Sequence, residues 1–134
     1  MKFTLFTILF FVGALVTQGQ SKSPLENNIV ITSQKNKTQV STNEKGELQV
    51  NVPPKDVVKF KAAGLVRYSD FGAKGDGKVD DIDAIAATHA FANLHRLSVK
   101  ADAGATYYIG GKERTAVIRT DTDFGTAAFI IDDT

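Results

Sequence analysis

The sequence predicts a mostly β fold carrying a single amphipathic helix. Three observations lead there. Short segments of strand character start at residues 99, 106, 116 and 128. Turn-forming residues separate them: Asp102-Ala103-Gly104, Gly110-Gly111-Lys112 and Asp123-Phe124-Gly125. Only residues 82–97 repeat their apolar positions at helical spacing. Regular short strands of this kind suit a sandwich, a barrel or a β-solenoid.

Composition narrows the function classes. The chain has 134 residues, 43% of them hydrophobic and 23% charged, which excludes a fully disordered or collagen-like protein. Cysteine is absent, so there is no disulfide framework, thiolate zinc site or cysteine nucleophile. A net charge of +1 gives no general pull toward nucleic acid or membrane. Residues 20–67 carry +4 and residues 68–134 carry −4, read as solvated surface.

From the start, Met1-Lys2 is a short basic opening and Phe3–Val16 is almost wholly apolar. A run of about 14 falls short of the roughly 20 residues a membrane helix needs and fits a signal peptide. Thr17-Gln18-Gly19 predicts cleavage after Gly19. The expectation is a secreted, periplasmic or cell-surface protein with no membrane partner after cleavage. Gln20–Asn28 is polar, and Ile29-Val30-Ile31 begins a strand. Thr38–Thr42 and Glu47–Val52 alternate around Asn43-Glu44-Lys45-Gly46, which predicts a β-hairpin stopped by Pro53-Pro54. Asn36-Lys37-Thr38 is a formal glycosylation sequon. Val57–Tyr68 is a short apolar-rich segment broken by Gly64, and Gly72, Gly75 and Gly77 form a loop.

The helix follows, with Asp80 or Asp81 able to cap it by accepting from first-turn N–H groups. Ile82, Ile85, Ala86, His89, Ala90, Leu94 and Leu97 share one face, and His95 points away. Val99–Ala101, Thr106–Ile109, Ala116–Thr120 and Ala128–Ile131 are the candidate strands.

Several motifs invite chemistry and lose it on inspection. Gly72–Lys78 fits most of a phosphate loop, but position 79 is Val, with no hydroxyl for magnesium, and Asp76, Asp80 and Asp81 would repel phosphate. Asp-Phe-Gly at 70–72 and 123–125 lacks the rest of a kinase and reads as two turns. Asp76, Asp80, Asp81 and Asp83 form a carboxylate cluster without EF-hand spacing, read as capping and turn formation. His89 reads as a core or boundary histidine, and His89 and His95 lie on different helix faces. Tyr107 and Tyr108 point oppositely on a strand, so at most one can stack on a sugar ring.

Tyr68-Ser-Asp-Phe-Gly-Ala-Lys-Gly-Asp-Gly-Lys-Val-Asp-Asp-Ile-Asp-Ala-Ile85 resembles the opening of the pectate-lyase-like superfamily, in its rhamnogalacturonase and epimerase branch. The likeness rests on Asp70, Phe71, Gly72, Ala73, Gly75, Asp76, Gly77, Asp80, Asp81, Ala84 and Ile85, and departs at Val79 and Ile82, where Thr is usual. Val99–Ile109 resembles the next family block more loosely: Ala101 replaces an aromatic, Asp102 replaces a Pro, and one residue is inserted before Tyr107.

The resemblance implies the start of a right-handed parallel β-helix over residues 66–134, with the helix capping its N-terminal end. Residues 1–19 would be the signal peptide and 20–65 a polar linker with the hairpin. Asp70, Phe71, Gly72, Gly75, Asp76, Gly77, Asp80 and Asp81 would be structural. Catalytic groups in such proteins lie on later coils, so no catalytic, cofactor or metal residue is assigned here, and the chain is read as the inactive N-terminal part of a longer protein. That parent would degrade an acidic polysaccharide of pectin or rhamnogalacturonan type. A lyase would abstract the proton at C5 of a uronic acid, often with calcium neutralising its carboxylate. A glycoside hydrolase would use paired carboxylates. The alternative is a non-catalytic adhesin or tailspike-like carbohydrate binder. Substrate and oligomeric state stay open at this point.

Overall fold

The computed structural model describes residues 29–134. The expected signal peptide, residues 1–19, and the polar run Gln20–Asn28 lie outside the described residues. The elements are β1 (Ile31–Thr32), β2 (Gln39–Thr42), β3 (Leu48–Asn51), α1 (Pro54–Ala63) and β4 (Leu65–Arg67). A 3₁₀ turn (Tyr68–Phe71), β5 (Asp76–Asp80) and α2 (Ile82–His95) follow. The chain continues through β6 (Ser98–Lys100), β7 (Thr106–Gly110), β8 (Thr122–Asp123) and β9 (Ala128–Asp132).

β1, β2 and β3 form an antiparallel sheet. Leu48 and Val50 are half-buried while Gln49 and Asn51 are exposed, as the two-residue repeat of a strand dictates. Asn43 organises the turn between β2 and β3, its Oδ1 accepting from the N–H groups of Lys45 and Glu47, both at 2.9 Å. The sequon is occupied by the fold. Asn36 Nδ2 donates to the Asp70 carbonyl at 3.2 Å, and Thr38 is fully buried.

Pro53-Pro54 ends the hairpin and also starts α1. Pro54 takes the first helical position, where an absent N–H leaves no bond unmade. Asp56 in the first turn and Lys61 in the last suit the helix dipole. The sequence reading saw only an apolar-rich segment from Val57.

The other two sheets are parallel, ordered β4-β6-β8 and β5-β7-β9, and successive strands from β4 onward enter them alternately. Neither closes. Among the described residues the architecture is therefore mixed α/β, with two helices and three separate three-stranded sheets, one of them antiparallel. This corrects the mostly β, right-handed parallel β-helix with an N-terminal capping helix that the resemblance implied; no solenoid forms. Part of the reason lies in Ala116–Thr120, which forms no ladder. Its backbone is bonded by a helix side chain instead: Asn93 Nδ2 donates to the Val117 carbonyl at 2.7 Å, and Asn93 Oδ1 accepts from Arg119 N–H at 3.1 Å. The expected loop at Gly75–Gly77 holds a further difference, since β5 occupies Asp76–Asp80.

Parallel register stacks like side chains in the core. Val66 pairs with Val99 between β4 and β6, and both are buried. Tyr107 pairs with Phe129 between β7 and β9, their rings 5.2 Å apart. α2 lies against the 3₁₀ turn and strands of all three sheets. That explains why every residue from Ile82 to His89 is buried rather than one stripe. The predicted apolar face fails at Ala90 and Leu94, the latter 76% exposed, while Phe91 and Ala92 face the core instead and Leu97 is buried as expected.

Candidate functional site

The run from Asp70 to Asp81 is a scaffold of carboxylates bonded to backbone. Arg67 N–H donates to Asp70 Oδ2 at 2.8 Å. Phe71 is fully buried. Gly72 adopts a φ of 95°, and a Cβ there would overlap Ile31 Cγ2. Gly75 (φ 63°) leaves only 2.8 Å between an added Cβ and that of Ala105. Both positions therefore require glycine twice over, by conformation and by space. Asp76 Oδ1 accepts from Lys78 and Val79 N–H at 2.9 and 3.0 Å, and these bonds hold its carboxyl below the usual range. They fold Gly77 into an irregularity in β5: Asp76 pairs with Thr106 but Asp80 pairs with Tyr108, two steps on β7 for four on β5.

Asp80 and Asp81 divide their work. Asp80 Oδ1 accepts from Ile82 N–H at 3.0 Å at the start of α2. Asp81 turns back instead, accepting from Lys74 and Gly75 N–H at 2.7 and 3.0 Å. Its burial pushes the carboxyl pKa up, against the pull of those two amides. Among the described residues no three His, Cys, Asp or Glu side chains converge to hold a metal ion.

Asp83, the last member of the acidic run, meets two cations. Lys112 Nζ and Arg114 Nε each reach its carboxylate at 2.7 Å. Arg114 Nη1 also donates to the Gly46 carbonyl at 2.9 Å, tying the hairpin to α2. Burial raises the Asp83 pKa, but the hydrogen bonds from Lys112 and Arg114 outweigh it and the net shift is downward. The sequence reading missed this cluster, because partners 29 and 31 residues away leave no local trace. The closely spaced Lys112 and Arg114 after Gly110-Gly111 are the one available signal.

Two further arrangements occupy the core. Tyr68 Oη lies 2.8 Å from His89 Nε2, and both residues are buried. The other ring nitrogen, His89 Nδ1, is buried without a partner among the described residues. Burial lowers the His89 pKa and pushes Tyr68 up to about 12, so both are neutral at pH 7. The pair lies beside an apolar cleft of about 440 Å³ that also touches Ile118, Phe124 and Phe129. Asp102 forms the second arrangement, accepting from Ser69 Oγ at 2.6 Å and Tyr107 Oη at 2.8 Å. Tyr107 is buried, whereas its neighbour Tyr108 reaches outward to Asp132 at 2.8 Å.

A groove of about 590 Å³ runs along the C-terminal half of α2, beside residues 115–119. Ala86, Ala90, Leu94 and Val117 line it together with Arg96 and Arg119. Neither guanidinium has an acidic partner among the described residues. Arg96 ends α2 in the left-handed region, with a φ of 58°. That conformation costs a non-glycine residue about 1–2 kcal/mol.

Comparison of the chain with protein-family models, curated proteins and solved structures gives no match.

Proposed function

We propose that the described residues form a non-catalytic module of an exported protein that degrades an acidic polysaccharide. One observation carries the non-catalytic part. The carboxylates of Asp70, Asp76, Asp80 and Asp81 accept from backbone N–H groups, and Asp83 is held by two cations. A general acid or base must exchange its proton with substrate within hydrogen-bond reach. These five groups instead hold turns, the start of α2 and the hairpin contact. The Tyr68–His89 pair, buried at the wall of the apolar cleft, is bonded to itself rather than presented to solvent. The polysaccharide part is supported by the resemblance of residues 68–85. Incubation of the chain with pectin, rhamnogalacturonan and alginate is expected to release neither unsaturated product nor new reducing ends. Turnover of any of the three would overturn the reading.

A further inference from the structure

We propose that β9 is a dimerisation edge, pairing antiparallel with β9 of a second copy of this chain about a two-fold axis at Ile130. The contact is independent of the polysaccharide reading and rests on three observations. First, β9 is the one unguarded edge among the described sheets. Edge strands invite pairing unless they are short, charged, polar or irregular. β1, β4 and β8 are only two or three residues long. β5 carries Asp76, Lys78, Asp80 and a register irregularity, and β3 turns Gln49 and Asn51 to solvent. β9 begins Ala128-Phe-Ile-Ile131, with Ile130 and Ile131 exposed and Phe129 walling the apolar cleft.

Second, the free backbone groups of β9 are self-complementary. Ala128 N–H donates to the Ala105 carbonyl at 2.9 Å, so alternation turns Ala128, Ile130 and Asp132 toward β7. Phe129 and Ile131 then direct their N–H and C=O groups to the open side. Pairing centred on Ile130 sets Phe129 opposite the partner's Ile131. Each N–H meets the other's carbonyl, and the two-fold repeats both bonds. Opposite residues of an antiparallel pair share a face, so the core row Tyr107–Phe129 continues into the partner's Ile131. A centre at Phe129 instead would need the Ala127 N–H, which already donates to the Phe124 carbonyl at 3.0 Å. Third, charge selects the antiparallel orientation. It places Asp132 opposite the partner's Ala128, whereas parallel in-register pairing would set Asp132 against its own copy.

The test is sedimentation of the chain over a range of concentrations. A reversible dimer is expected, with a Kd on the order of 10 µM, the strength of a small interface. Well below that concentration the chain is a monomer with Ile131 in water. Ile130→Lys and Ile130→Glu, each placing like charges directly opposite one another, should each weaken the dimer at least about tenfold. An equimolar mixture of the two should restore it, which a damaged fold would not allow. The Ile130 dependence also separates this contact from association through the apolar residues 3–16. Ile130→Cys supplies the only thiol of the chain and fixes the register. Directly opposite Cα atoms of such a pair lie about 4.5 Å apart, within disulfide reach, so mild oxidation should join two copies. Ala128→Cys, about 14 Å from its symmetry mate, should stay unjoined. Four results would overturn the proposal: a monomer at every concentration, which leaves the edge to a strand of another protein; open-ended assembly beyond a dimer; a dimer indifferent to the Ile130 charges; or Ala128→Cys joining as readily as Ile130→Cys.

Discussion

Two aromatic clusters among the described residues end differently. Phe60, Phe71 and Phe91 pack on one another with ring centroids 5.3–6.1 Å apart, all at most 7% exposed. Tyr68, Tyr107, Phe129 and Phe124 form a comparable chain at 5.1–5.5 Å, but it starts in the core and ends at the surface. Phe124 is 43% exposed, Ile118 beside the same cleft is 51% exposed, and Ile130 and Ile131 of β9 are 44% and 70% exposed. The difference teaches where folding energy resides. The first cluster is contributed by α1, the 3₁₀ turn and α2, whereas the outer end of the second borders an open apolar cleft. Aromatic content sets the capacity for burial, and the number of covering elements sets how much is realised.

The largest effect expected is on the enclosed cluster. Phe71→Ala should destabilise the chain by about 3–5 kcal/mol, the cost of an emptied aromatic site. Ile131→Ala should change stability by less than about 0.5 kcal/mol, because water already covers it. Urea unfolding of the two variants measures both, and equal losses would erase the contrast.

The next effect concerns Asp83, which joins α2 to the hairpin and to the segment after β7. Asp83→Asn leaves Lys112 and Arg114 without their counter-charge. A loss of about 2–3 kcal/mol is expected, below the range for fully buried pairs because Lys112 is 38% exposed and partly screened. The folded Asp83 pKa lies below its ordinary value of 3.8. Its contribution is therefore present above that value and is lost as pH falls through the folded pKa. Acid titration of stability should show a step below about pH 4 that Asp83→Asn removes.

The smallest effect comes from His89. Its folded pKa is lowered from 6.5 by burial, so the unfolded chain takes up a proton that the folded one refuses. The contribution is present above pH 6.5 and declines as pH falls below it, by at most about 1.4 kcal/mol per pH unit. Denaturation midpoints between pH 6.5 and 5 should slope for wild type and flatten for His89→Phe. A slope that survives the substitution would place the titrating group elsewhere.

Local signals were legible in the sequence wherever the cause was itself local. Alternation in 38–52 marks β2 and β3, and the Ile82–Leu97 spacing marks α2. Asp80 bonds its own helix start, two residues away. The reading failed where a distant partner decided. Leu94 has helical core spacing, yet it opens onto the groove and is 76% exposed. Ala116–Thr120 has strand character, yet Asn93 takes its backbone bonds. α1 was hidden because Pro53-Pro54 serves both as a stop and as a start.

The sequence by itself determined the elements with short-range causes: the hairpin and the α2 start. It also determined that Tyr107 and Tyr108 project to opposite sides, since strand geometry allows nothing else. Only the tertiary structure decided the mixed α/β architecture, the alternation of strands between two parallel sheets, the Asp83 cluster and the groove that gathers Arg96 and Arg119. The physical reason is range. Periodicity and capping act over a few residues, whereas sheet order, burial and charge pairing depend on chain segments tens of residues apart, which meet only once the core has formed.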